Sequence, residues 1–355
     1  MRPRLTNCRS LLSGCGKTTT PAGFFSSSVS RSNPLRAPLN IPPPFPVTQK
    51  CPEPACSCPA TPDMPEGLPI DFDQSLNGTM AAYTQQVVIC TGQRDWATRI
   101  EDDGKGQSWG ELVRGLKKLM GRGGRYADPF NNVLVSNSSF SPSSSTATAS
   151  AFLFPRFIYI PSISVNVSEE QNVQTDLATF VQAFLLPEQL NPMQDSLPES
   201  KRAKLTRKPE LASNFPDAVD IQYSPVVLIC GHGGRDMRCG VMAPVLEKEF
   251  SRVLRARGFS SAGADGNSTD SPEHAHVGLI SHVGGHKYAG NVIVYIPPGM
   301  KAGGSPHPLA GKGIWYGRVE PKHVQGIIDE TIMSGRVVLD HFRGGVDRNG
   351  DILRV

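Results

Sequence analysis

Residues 224–258, SPVVLICGHGGRDMRCGVMAPVLEKEFSRVLRARG, read as a strand, a glycine-rich loop and a helix in immediate succession. VVLIC is an unbroken apolar run, the pattern of a buried strand. Pro244 suits the first turn of a helix in which Val245, Leu246, Phe250, Val253 and Leu254 make one apolar stripe. Downstream, HVGLISH, NVIVYIP and GIWYGRV read as further strands. HVQGIIDETIMSG, with Val324, Ile327, Ile328 and Ile332, reads as a closing helix. The order β-α-β-β-β-α, with helices able to cover a mixed sheet, predicts an α/β domain of thioredoxin-like type over 216–342.

Upstream, MAAYTQQVVICTG reads as a strand ending at Cys90, followed by the polar stretch RDWATRIEDD. SWGELVRGLKKLMGRGG has Leu112, Val113, Leu116 and Leu119 at helical spacing and a glycine stop. SNSSFSPSSSTATAS reads as a low-complexity insertion, FLFPRFIYIP as a second strand and TDLATFVQAFLLPEQL as an amphipathic helix closed by Pro187. VVIC-TGQRD around Cys90 echoes VVLIC-GHGGRD around Cys230, which fits either a degenerate duplicate or a coincidence. The expected organisation is a leader over 1–36, a proline-rich linker over 37–62 and an N-terminal α/β domain over 63–189. A connector over 190–215, the second domain over 216–342 and a tail over 343–355 complete it.

The net charge of +4 is a property of one end. Residues 1–50 carry five Arg and two Lys and no acid, and without them 29 basic residues face 32 acidic ones. A basic surface for nucleic acid is therefore not expected. The leader is rich in Arg, Ser and Thr and has no secretory apolar core, the marks of a mitochondrial transit peptide, so the matrix is the expected compartment. No run approaches 18 apolar residues, so no membrane span is expected. A reducing matrix keeps thiols free for metal.

The residues with most chemistry are Cys230 and Cys239 in CGHGGRDMRC and His282 and His286 in HVGGH. Each pair follows a strand, and two thiolates with two imidazoles make a metal site. Structural zinc sites hold cysteines two to four residues apart. Eight residues separate Cys230 from Cys239, a wide loop that favours an iron–sulfur cluster. Gly231, Gly233 and Gly234 are expected to adopt turns closed to other residues and to approach sulfide closely. Backbone N–H groups with Arg235 and Arg238 would stabilise an anionic cluster. Imidazoles replace two thiolates in Rieske centres, but that signature needs Cys-x-His in two loops, and Cys230-Gly-His232 supplies only one. The reading is a Cys2His2 site outside the Rieske fold. His274, His276 and His323 are expected at the surface and His307 in a loop; Cys51, Cys56 and Cys58 are too few for a closed site.

The Cys-x8-Cys loop after its strand, HVGGHKYAGNVIVY and GIWYGRVEP together resemble the sucrase/ferredoxin-like family of fungal and plant proteins, over roughly residues 55–342. The leader makes the chain look like a mitochondrial member. The resemblance implies a thioredoxin-like ferredoxin domain with a bis-histidinyl, non-Rieske 2Fe–2S cluster. Its ligands fall on Cys230, Cys239, His282 and His286, the imidazoles sharing the iron nearer solvent. The expected role is electron transfer or redox sensing. The expected partners are a flavin- or ferredoxin-type reductase and the mitochondrial iron–sulfur assembly machinery, with Arg235, Arg238, Lys287 and Tyr288 as tuning or docking groups. Two other readings stay open. A thiol–disulfide protein would want a Cys-x-x-Cys, which the chain lacks, although Cys230 and Cys239 could still form a switch. A zinc-stabilised interaction module would have no redox activity. The sucrase part of the label finds no carboxylate pair to support it.

Overall fold

The computed structural model describes residues 42–55, 57–165, 175–261 and 270–355, so the basic leader and Cys56 lie outside the described residues. The first half of the chain forms β1 (Gln85–Cys90), α1 (Ser108–Met120), β2 (Val133–Ser138), β3 (Thr148–Phe154), β4 (Ile158–Ser164) and α2 (Asp176–Phe180). The second half forms β5 (Val226–Cys230), α3 (Met237–Ala256), β6 (His274–Ile280), β7 (Val292–Ile296), β8 (Lys312–Tyr316), α4 (Pro321–Ile327) and β9 (Phe342–Val346). Both α2 and α4 run on into a π-helical turn, Val181–Leu185 and Ile328–Met333.

The two halves repeat one arrangement. In each, the first strand pairs parallel with the second and antiparallel with the third, which pairs antiparallel with the fourth. The echo around Cys90 and Cys230 is thus an echo of place, since each cysteine ends the first strand of its half. Among the described residues the halves share one twelve-stranded mixed sheet, with β2 meeting β6 antiparallel at Ser138 and Ile280.

Side chains alternate across a strand, and that alternation sorts the core. Val87 and Ile89 of β1 pack with α1 and α2, and Val227 and Ile229 of β5 pack with α3 and α4. The other face is common to both halves: Val88, Cys90, Phe152 and Phe154 join Val226, Leu228, Cys230, Ile293, Tyr295 and Trp315 in one cluster. Phe154 stacks on Tyr295 with centroids 3.9 Å apart, so the sheet closes over on itself there. A buried polar chain ties the halves together. Trp315 Nε1 donates to Tyr83 Oη at 2.9 Å, and Tyr295 Oη lies 2.7 Å from Tyr83 Oη and donates to Gln86 Oε1 at 2.7 Å. Cys90 and Cys230 therefore face a shared interior.

Several expectations change. α3 starts at Met237, not at Pro244, because the Asp236 side chain accepts the Arg238 N–H and caps the helix early; Cys239 is thereby helical. FLFPRFIYIP is a hairpin rather than one strand, since Pro155 lacks the N–H that would continue the ladder. Both ends of the serine-rich insertion are sheet: Ser136, Asn137, Ser138 and Ser150 are fully buried. Hydroxyl partners explain Ser136 and Ser138, with Ser138 Oγ donating to Ile89 O at 2.9 Å and Ser136 Oγ accepting from Gln86 Nε2 at 2.9 Å. The described part of the proline-rich stretch is a packed strap: Phe45 is buried against Phe342, and Val47–Thr48 pairs with Val337–Val338. His276 is buried between Phe140 and Phe152, not exposed, because β6 is an interior strand. The stretch read as a tail holds most of β9 and the short strand Ile352–Leu353.

Candidate metal centre

β5 delivers Cys230 to its C-terminal end, and the first turn of α3 delivers Cys239 directly opposite; the two are 1% and 0% exposed. Their thiols are hydrogen-bonded to one another and remain unlinked, and Cys230 also contacts the His282 imidazole. The Cys239 contact, helped by His282, holds Cys230 well below the usual thiol range. The same contact, with burial, pushes Cys239 up. One negative charge is thus favoured in this pair and a second is resisted, a situation that a bound cation relieves.

The end of β6 leads into the second loop. Gly284 and Gly285 have φ of +93° and +76°, conformations that favour glycine, and they turn the chain so that the His282 and His286 rings lie 5.3 Å apart. The Nδ1 atoms of both rings are buried and have no hydrogen-bond partner. Buried polar atoms in folded proteins are almost always paired, so two adjacent orphans ask for a ligand. His286 Nε2 lies 3.9 Å from Asp236 Oδ2, and Asp236 is locked by Arg238 through contacts of 2.9 Å from Nε and Nη2. A carboxylate behind an imidazole is a common way of orienting a metal-ligating histidine. The His286 side chain is 44% exposed, so the pocket runs from buried thiols to a solvent-facing imidazole.

The four residues named from the sequence therefore make one chain of contacts, Cys239 to Cys230 to His282 to His286. Among the described residues no group of three or more His, Cys, Asp or Glu side chains could hold a metal ion. The donors come as two pairs. The donor types brought together here, two thiols and two imidazoles, are ones an iron–sulfur group can take.

The loops are closed by the first half of the molecule. His232 is buried; its Nε2 donates to Trp96 O and Ala97 O at 3.1 and 2.9 Å, and its Nδ1 accepts from the His282 N–H at 3.0 Å. Asp95 accepts from the Gly234 N–H at 3.0 and 3.1 Å. Gly231, Gly233 and Gly234 are not needed for left-handed turns, since none has a positive φ. They are needed for room: a Cβ on Gly234 would meet Trp96 O at 2.3 Å, and one on Gly233 would meet Asp95 Oδ2 at 2.9 Å. Arg238 is buried and spent on Asp236 and Pro69 O, Lys287 pairs with Asp71 at 3.1 Å, and Arg235 is exposed. Sequence reasoning saw His232 only as half of a Cys-x-His pair and passed over Asp95 and Trp96; the one available signal for these two was the repeated Arg-Asp after each strand-end cysteine.

These features define a mixed α/β protein with a buried cysteine–histidine pocket roofed by a loop of its own first half. The chain belongs to the sucrase/ferredoxin-like family, whose model matches residues 76–344. It is 31% identical to "Altered inheritance of mitochondria protein 32" of Meyerozyma guilliermondii over 84% of this chain and 94% of that protein. The protein of the same name in Debaryomyces hansenii is 28% identical over 84% and 96%. "Actin patches distal protein 1" of Saccharomyces cerevisiae is 33% identical over 35% of this chain and 34% of that protein. No solved structure matches the chain. Among the described residues no helix is long and apolar enough to cross a membrane.

Proposed function

We propose that this chain is a mitochondrial 2Fe–2S protein of Cys2His2, non-Rieske type, working in the matrix as a one-electron carrier or redox sensor. The observation that carries the reading is the pair of orphaned, buried Nδ1 atoms on His282 and His286 beside two contacting thiols. Cys230 and Cys239 would hold one iron and His282 and His286 the other. When bound, such a cluster takes up and returns a single electron with no bond to the protein broken. The protein's part is to keep water from the thiols, to orient His286 through Asp236, and to leave that imidazole as the route to a reductase or acceptor. Family membership, the relatives' mitochondrial names and the basic leader support the compartment. The strand order of each half agrees with a thioredoxin-like plan.

The test is anaerobic purification followed by iron and acid-labile sulfide analysis and a visible spectrum. A red-brown protein with matched iron and sulfide is expected. Colourless protein carrying zinc would establish the interaction module instead. Metal-free protein that forms a Cys230–Cys239 disulfide would establish the thiol switch.

A further inference from the structure

We infer that Arg343 is the counter-charge of this pocket: a permanent cation buried beneath the HVGGH loop that makes the site easier to reduce. The inference rests on the diiron reading above. Arg343 lies on β9 and is 1% exposed. Its Nε donates to Thr79 Oγ1 at 3.0 Å and its Nη2 to Thr79 O at 2.7 Å. Nη1 donates to Gly284 O at 3.2 Å and Asn291 Oδ1 at 2.7 Å. Tyr288 and Trp315 flank the guanidinium at 5.6 and 5.7 Å. Every one of these acceptors is neutral, and among the described residues no carboxylate pairs with the group.

A buried charge without an ionic partner is costly, and proteins rarely keep one for packing alone. The acidic groups whose charge would favour the guanidinium are Cys230, Tyr288 and Cys239, and of the two thiols Cys230 is the one held as a thiolate. Burial draws the guanidinium down to about 10, which leaves it charged at neutral pH. Contact with the ligand loop is close: a Cβ on Gly285 would fall 2.4 Å from Nη2, so the glycine lets the loop settle onto the cation. Two thiolates bring two negative charges and two neutral imidazoles none. A one-electron donor such as a reduced flavin loses one electron as the site gains it, and the site becomes one charge more negative. A guanidinium held there favours that state.

The test separates charge from scaffolding. Arg343→Gln removes the cation; Arg343→Lys keeps it but loses the planar fork. Asn291→Asp places a carboxylate against Nη1 and neutralises the guanidinium where it stands. Each variant and the parent are assayed for iron per chain, thermal unfolding and midpoint potential by mediator titration. Arg343→Gln and Asn291→Asp are each expected to make reduction about tenfold less favourable, a fall of about 59 mV for one electron. Arg343→Lys should stay near the parent. Should Arg343→Gln fail to fold, Arg343→Lys against Asn291→Asp decides the matter. Iron-replete Asn291→Asp at the parental potential, or Arg343→Lys shifted as far as Asn291→Asp, would overturn the inference and leave Arg343 a pin for the loop. Iron-free parent protein would overturn the diiron reading first, and this inference with it.

Discussion

Removing His232 should destabilise the protein even when no metal is bound. Its ring bonds Trp96 O across the two halves, and it also accepts the His282 N–H. Replacement by alanine leaves these two groups without their partner, each worth roughly 1–2 kcal/mol when buried, while Ala97 O is exposed enough to recover water. The expected loss is about 3 kcal/mol, or a fall in Tm of about 6–12 °C at about 2–4 °C per kcal/mol. His232→Phe fills the space and separates packing from polarity; it should lose nearly as much. Urea unfolding of iron-free protein, with unchanged slope, measures both. A Phe variant within about 0.5 kcal/mol of the parent would refute the reasoning, since that is the scatter of an uninvolved surface site. If His232 were instead a metal ligand, iron-free protein would be indifferent to its loss.

Acid should weaken the fold through His276, whose pKa burial pushes down from 6.5 to about 4. A depressed folded value means the contribution is whole above pH 6.5 and drains away as the pH falls toward 4. Its share is about 2 kcal/mol by pH 5 and about 3 kcal/mol in full. His276→Phe should flatten that part of the stability profile; an unchanged slope between pH 7.5 and 5 in denaturant titrations would count against it. Gly285→Ala should cost clearly more stability than Gly284→Ala, because a Cβ at 284 meets nothing within 4 Å and costs only the backbone strain of about 1–2 kcal/mol. Equal losses in thermal unfolding would show that the Arg343 contact is soft. Cys230→Ala and Cys239→Ala should each lose the cluster, whereas His282→Cys and His286→Cys should keep iron at a lower potential. Full iron in either alanine variant would sink the ligand assignment.

Parts of this protein were legible because the signal is local. The runs VVIC, VVLIC and VIVYI could only be strands, and the stripes in α1, α3 and α4 could only face a sheet. Polar sequence misled in both directions. The SNS that ends β2 looked like the start of an insertion because composition does not show that Ser136 and Ser138 find partners across the sheet. His276 looked exposed because no pattern reports that β6 sits between two strands.

The sequence alone determined most of the apolar strands and helices, the family and the four side chains worth watching, since these rest on local runs and spacing. Only the tertiary structure decided that Cys239 meets Cys230, that the Asp95–Trp96 turn roofs the pocket, and that Arg343 lies beneath it. The two thiols are nine positions apart, but the roof and the buried cation join residues from 52 to 264 positions apart. They arise because two similar half-sheets close on one shared face, a result of packing that no local pattern encodes.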